Sequence, residues 1–265
     1  MKIMVGVDME GITGVCSKDY ITDPRMSAEA SAMAVSDVNA CVQGLVDAGV
    51  DDIYVWDNHY VSFNHDFTKL HGGAKYRRGG AANGLRWQDL DGTYDGLILL
   101  GYHAMAGTPR AVLDHTMSSE GWHCFKVNGQ ALGEVGIDAA LAGAVGVPVI
   151  MVSGDDKLCI EAKALLGEPI QAACVKWGHA RHGATCLPVE KTAALIRAAA
   201  CAAAKNAHNC KTFDAGSPAV VELTFKHTWQ ADGQDLRLFQ GRRLDGYTVQ
   251  WTCPDLASWM GGTMG

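Results

Sequence analysis

The chain has 265 residues, 48% of them hydrophobic, and its 22 basic and 29 acidic side chains give a formal charge of −7. That acidity, without a basic run anywhere, argues against nucleic acid or an anionic membrane as the partner. Nine cysteines without a CxxC pair predict reduced thiols in a cytoplasm rather than a disulfide framework.

The first element is a strand over I-M-V-G-V (3–7), followed by D-M-E-G-I-T-G. Strand alternation sends Asp8 and Glu10 to the same side. Two like charges that close repel each other unless a proton or a cation sits between them. Over residues 27–48, Ala30, Met33, Val38, Cys41, Val42, Leu45 and Ala48 recur at helical spacing, and Gly49 suits the C-cap. Strands follow at I-Y-V-W (53–56) and G-L-I-L-L-G-Y (96–102). Residues 122–134 predict a hairpin turning at Asn128 and Gly129. Glu134 to Ala144 predicts a helix, V-P-V-I-M-V (147–152) a strand, Val189 to Asn206 an alanine-rich helix, and A-V-V-E-L-T-F (219–225) a last strand. No run is long enough to span a bilayer: Asp8 breaks the first, and Pro148 lies in the longest later one, around residues 143–153. Apolar runs without alternation mark strands covered on both faces. The expected class is α/β, a three-layer αβα arrangement with a largely parallel sheet, plus a smaller C-terminal α/β part. A division near residue 155 would give a metal-binding catalytic domain (1–155) and a smaller domain (156–265).

In open α/β sheets, ligands gather beyond the carboxyl ends of the strands. Asp8 and Glu10 leave the first strand, Asp57, Asn58 and His59 the second, His103 the third, and Asp155 and Asp156 the fourth. Glu134 opens a helix. Three carboxylates and two imidazoles meeting at one end would suit a catalytic zinc site, and Asp8 could bridge two ions. Each residue also has an ordinary reading. A strand-ending acid is often a helix cap, a lone histidine a solvated loop residue, and Glu134 a partner of the helix dipole.

The motifs V-D-M-E-G-I-T-G, D-N-H, L-G-Y-H-A, H-T-M, G-E-V-G and M-V-S-G-D-D resemble, in order and spacing, those of the M55 family of metallopeptidases, the zinc D-aminopeptidases. The resemblance covers nearly the whole chain and is strongest before residue 156. It departs from the family's S-x-D-x-E-G pattern at Gly6, which stands where the serine would be. The resemblance implies two Zn2+ ions per chain held by Asp8, Glu10, His59, His103 and Glu134, with Asp8 shared. Glu10 is expected to pair with His103, and His59 with Glu134. It also implies His115, in L-D-H-T-M, as the remaining catalytic residue. The family pattern makes His115 the nucleophile, whereas a metal-activated water is the more natural attacker. His115 would then act as base, as proton donor to the leaving amine, or as oxyanion stabiliser. The implied reaction is release of N-terminal D-amino acids from short peptides, by a homo-oligomer that forms a large ring such as a decamer.

Two rival readings fit less of the sequence. V-D-M-E-G-I-T resembles the D-x-D-x-T signature of haloacid dehalogenase-type magnesium phosphatases, with Asp8 as nucleophile. That reading leaves His59, His103 and Glu134 without work. A non-catalytic module would hold a closed, four-ligand zinc site, and five candidate ligands exceed that. His179 and His182 are expected in an exposed loop, whereas His65 and His71 flank a glycine-rich stretch ending in Arg77 and Arg78 that is expected as a plain loop, with a mobile rim or a substrate-carboxylate contact as the alternative. Asp155 and Asp156 are expected to orient ligand imidazoles or cap a helix. Loops 59–82 and 104–121 are expected to read substrate chirality.

Overall fold

In the computed structural model, which describes residues 1–60, 62–80 and 86–263, the run at 3–7 becomes the middle of a sheet. The chain runs through β1 (Lys2–Val7), α1 (Asp19–Thr22), α2 (Pro24–Asp47), β2 (Asp52–Asp57), β3 (Lys75–Arg77), β4 (Gly96–Leu100), β5 (Trp122–Val127) and β6 (Gln130–Ala131). It continues through α3 (Glu134–Ala144), β7 (Val149–Asp155), α4 (Asp156–Leu166), β8 (Gln171–Ala180), β9 (Gly183–Cys186) and α5 (Val189–Asn206). It closes with β10 (Ala219–Phe225), α6 (Thr228–Asp232), β11 (Arg242–Arg243), β12 (Thr248–Cys253) and α7 (Leu256–Thr263). One sheet has the order β3-β2-β1-β4-β7-β8-β9, parallel except for its β9 edge. The other, β11-β12-β10-β5-β6, is antiparallel throughout.

The α/β class with a largely parallel sheet is as the sequence predicts, and burial explains why. Ile3, Val5 and Val7 pack with Val38, Cys41, Val42 and Leu45 of α2 and with Ile196 and Ala200 of α5. Met4, Leu97 and Leu99 face the other way, into a core shared with α3 and the second sheet. Helix α2 starts at Pro24, three residues before its expected start. Asp23 caps it by accepting from the Arg25 N–H, and proline suits the first helical position. Asn128 and Gly129 both take positive φ, 49° and 82°, as a two-residue hairpin turn requires.

The run at 219–225 differs from expectation. It lies in the antiparallel sheet and alternates buried with half-buried residues, the pattern of a strand with one face on the core. Strand β8, absent from the sequence-based elements, pairs parallel with β7, so the larger sheet runs on past residue 155. The second sheet draws strands from both 122–131 and 219–253. Among the described residues no helix is long and apolar enough to cross a membrane. Strand order reverses between β1 and β4, and the crevice beyond their carboxyl ends is where such sheets bind ligands.

Candidate metal centre

Strand β1 ends at Val7, so Asp8 and Glu10 lie in the turn beyond it. Strand alternation therefore does not place them; the backbone of the turn does. The Asp8 N–H donates to the Leu100 carbonyl at 2.9 Å, and the Gly11 N–H to the Gly101 carbonyl at 2.7 Å. A Cβ on Gly11 would stand 1.9 Å from the Tyr102 carbonyl oxygen, so only glycine fits there. From β8, the Lys176 ammonium donates to the carbonyls of Glu10 (2.6 Å), Ile12 (2.8 Å) and Val15. Lys176 is fully buried, and burial pushes its ammonium down to about 8. The Thr13 N–H and hydroxyl donate to Asp37 of α2 at 2.9 and 2.8 Å.

These contacts bring the two acids against imidazoles from the neighbouring strands. His59 Nδ1 lies 2.8 Å from Asp8 Oδ1 and 3.2 Å from Glu10 Oε2. His103 Nε2 lies 3.4 Å from Asp8 Oδ2 and 3.2 Å from Glu134 Oε1, on the first residue of α3. His115 stacks on His103, ring centroids 3.9 Å apart, with its Nε2 3.5 Å from Glu134 Oε1. The Nδ1 atoms of His103 and His115 lie 3.1 and 2.9 Å from the carbonyls of Ala104 and Leu113. A carbonyl only accepts, so both Nδ1 atoms carry the proton and each Nε2 faces the acids. The turn between β8 and β9 clamps the His115 segment: the Arg181 carbonyl accepts from the Leu113 N–H at 3.0 Å, and its guanidinium meets Asp114 at 2.8 Å. All six residues predicted for the site thus meet in one place.

Electrostatics show what the cluster demands. Burial pushes the Asp8 carboxyl up, but the His59 hydrogen bond and the nearby imidazoles outweigh it and hold it well below the usual range. Glu134 is drawn down in the same way by His103, to about 2. Burial pushes His103 down, yet Glu134 and Asp8 lift it to about 10, and Glu10 with Asp8 lift His59 well above its ordinary value. Asp8 and Glu134 keep their charge by drawing protons onto the imidazoles, the role a metal cation would fill. Glu10 Oε2 and His103 Nε2 are buried with only these charge contacts and no well-formed hydrogen bond, a shortfall that a metal ion would meet. Ligand atoms of Asp8, Glu10 and His103, and separately of His103, His115 and Glu134, lie within 4.8 Å of one another. Carboxylate oxygens with imidazole nitrogens suit a divalent ion such as zinc.

The family model described as D-aminopeptidase, Peptidase M55, matches residues 1–263. The chain belongs to the M55 peptidase family. A D-aminopeptidase of Bacillus subtilis (strain 168) is 30% identical over 257 residues, covering 97% of this chain and 93% of the relative. The solved structure of the Zn-dependent D-aminopeptidase DppA from Bacillus subtilis, a self-compartmentalizing protease, superposes with a TM-score of 0.92 at 30% identity. That match covers 98% of this chain and 94% of the other. The M55 chain is a hydrolase, a metallo-aminopeptidase.

A cavity of about 540 Å³ opens over the M55 cluster, walled by Asp8, Glu10, His59, Arg86, His115 and Glu134. Arg86, Asp138 and Lys176 escape sequence reasoning, since the side-chain hydrogen bonds that hold Asp138 and Lys176 reach 36 or more residues away. For Lys176 the local signal is a lysine between Val175 and Trp177, inside the run A-A-C-V-K-W-G. Gly6, which departs from the family pattern, leaves room for an indole: a Cβ there would lie 2.3 Å from the Trp87 ring. Asp155 caps α4 by accepting from Lys157 N and Leu158 N, and also accepts from Val112 N. Asp156 pairs with Lys157. His182 is exposed in the β8–β9 turn, as expected, while His179 is exposed but lies within β8. His65 is buried, 7% exposed. Arg77 pairs with Asp89, and Arg78 lies over Phe63 and Phe67. In the loop 59–82, residues Val61, Ala81 and Ala82 lie outside the described residues.

Proposed function

We propose that this chain is a dinuclear zinc aminopeptidase that releases N-terminal D-amino acids from short peptides. One observation carries the two-metal reading. The two oxygens of Asp8 address different imidazoles, Oδ1 facing His59 at 2.8 Å and Oδ2 facing His103 at 3.4 Å. A carboxylate so placed would be suited to sharing between two ions, for which Glu10, His59, His103 and Glu134 would supply the remaining ligands. When bound, zinc polarises the scissile carbonyl and lowers the pKa of water.

The chain's own groups do the rest. His115 keeps its Nδ1 on the Leu113 carbonyl and presents Nε2 to the cavity, where it takes a proton from the attacking water or returns one to the leaving amine. Its stacking on His103 and its neighbour Glu134 hold the ring in register. A free α-amine keeps a nitrogen lone pair that a metal held there could take up, and acetylation removes it. The cavity volume is of the size that holds a small ligand, which supports short peptides. The Bacillus subtilis relative is Zn-dependent and self-compartmentalizing, which supports zinc and a homo-oligomeric enclosure here. Nine free cysteines fit a reducing cytoplasm.

The test is metal analysis together with hydrolysis of matched peptides. D-Ala-D-Ala and D-Ala-Gly should be cleaved and their N-acetylated forms left intact, with two zinc ions per active chain. Equal cleavage of free and acetylated peptides would overturn the aminopeptidase reading. Preference for L-Ala peptides would remove the D-specific part alone, and one tightly held zinc or magnesium would remove the dinuclear part.

A further inference from the structure

Behind the metal cluster lies a second buried carboxylate that the proposed reaction does not use. Asp138 is fully buried on α3, one helical turn after Glu134. Its two oxygens accept from Arg86 Nε (2.5 Å), Arg86 Nη2 (2.8 Å), Trp87 Nε1 (2.7 Å) and the Tyr102 hydroxyl (2.7 Å). A carboxylate has about four acceptor positions, so the four donors occupy them all. The Tyr102 hydroxyl in turn accepts from Asn58 Nδ2 at 2.7 Å.

The members of this network are neighbours of the candidate ligands. Asn58 precedes His59, and Tyr102 precedes His103. Arg86 reaches Glu134 itself, with Nη2 3.6 Å from Glu134 Oε2. The loop after β2, the exit of β4 and the start of α3 are thus tied to one point. Gly6 belongs to the same arrangement, because its missing side chain lets the Trp87 ring lie against β1 while the indole N–H holds Asp138. Dispersed segments that each contribute a ligand have no sequence-local means of fixing their spacing. A saturated, buried hydrogen-bond network provides it, since such networks rigidify what they join.

We infer that Asp138 is a positioning residue, which through Tyr102, Asn58 and Arg86 sets the spacing of His59, His103 and Glu134 for the metal. This rests on the zinc reading above and is tested by metal binding, independently of peptidase activity. Partners that orient metal ligands typically change affinity about 10–100-fold when lost. Zinc affinity is read by competition with a chromophoric chelator, and ligand geometry by the visible absorption of the cobalt(II)-substituted protein. Tyr102→Phe deletes one hydroxyl and keeps the ring, so it unlinks Asn58 from Asp138 with little change in packing. It should weaken zinc binding about tenfold and alter the cobalt bands while the metal-free protein still folds with wild-type circular dichroism. Asp138→Asn should weaken binding about 10–100-fold, and Asp138→Ala by at least as much. If the Asp138 variants fail to fold, Tyr102→Phe alone decides. Wild-type zinc affinity and cobalt bands in Tyr102→Phe would overturn the inference. Failure of the wild-type chain to bind either metal would instead overturn the zinc reading on which it rests.

Discussion

At the carboxyl edge of the larger sheet, Asp8, Glu10, His103 and Glu134 are each no more than 7% exposed and face one another. In the smaller sheet the equally buried side chains are aromatic. Trp122, Phe125 and Trp251 gather around Trp259 and α7, with ring centroids 5.4 to 6.0 Å from that indole. The first region takes charge out of water, which destabilises a fold unless the charges find partners. The second removes apolar area from water at about 25 cal/mol per Å². Even the indole N–H groups of Trp251 and Trp259 lack hydrogen-bond partners, so this cluster stabilises through area and ring packing. Chemistry thus gathers at one edge of the larger sheet, away from the aromatic cluster of the smaller one.

Substitutions on the two sides should separate activity from stability. Asp8→Ala should show the largest effect, abolishing nearly all turnover and releasing both metals. A variant that kept its full metal content by elemental analysis would break the contrast at its centre. His115→Ala comes next, with full metal content and a kcat lower by about 10²–10⁴-fold; near-normal turnover would return His115 to the status of a loop residue. On the aromatic side, Trp259→Ala should cost about 3–5 kcal/mol of stability in urea denaturation, while the folded fraction keeps its metal content. Loss of metal from folded Trp259→Ala would show that the two regions are not separable.

The smallest effect sharpens the comparison within the polar side. Burial pushes the Asp37 carboxyl up from 3.8 to about 6, against the opposing pull of the Thr13 hydrogen bonds and Lys176. The folded chain therefore holds this proton more tightly than the unfolded one. Its stabilising contribution is full below pH 4 and is lost as pH rises through 6, about 3 kcal/mol in all. Asp37→Asn has no such proton, so wild-type stability relative to the variant should fall by that amount between pH 4 and pH 7. A constant difference across that range would show that burial does not shift Asp37.

The parts of this site that sequence reveals are those reported by their position on a strand. Asp8, His59 and His103 each follow an apolar run, and a parallel sheet brings strand ends together whatever the intervening loops do. Asp8 and Glu10 both reach His59 although the alternation that suggested this stops at Val7; the turn, pinned by Gly11 and Lys176, does the aiming. His115 carries no such signal, because its place comes from Arg181, 66 residues further on. Asp138 is less legible still. On a helix its spacing from Glu134 suggests only a shared face, and nothing near it in sequence names Arg86, Trp87 or Tyr102. The strand at 219–225 shows the opposite failure. Its composition marks a strand correctly, while its partners depend on which sheet has a free edge.

The contact of Lys176 with the Glu10 carbonyl spans 166 residues, and this has a consequence for the order in which the protein matures. The acid-bearing turn receives its three ammonium hydrogen bonds only after β8 has been synthesised and has joined the sheet. Contacts so distant in sequence form late, because the loop they close costs chain entropy that only the rest of the fold repays. A growing chain that has produced β1 through β7 already carries every residue of the candidate centre, yet lacks the cation that shapes its first turn. The turn that carries Asp8 and Glu10 is thus completed by a strand that contributes no candidate ligand.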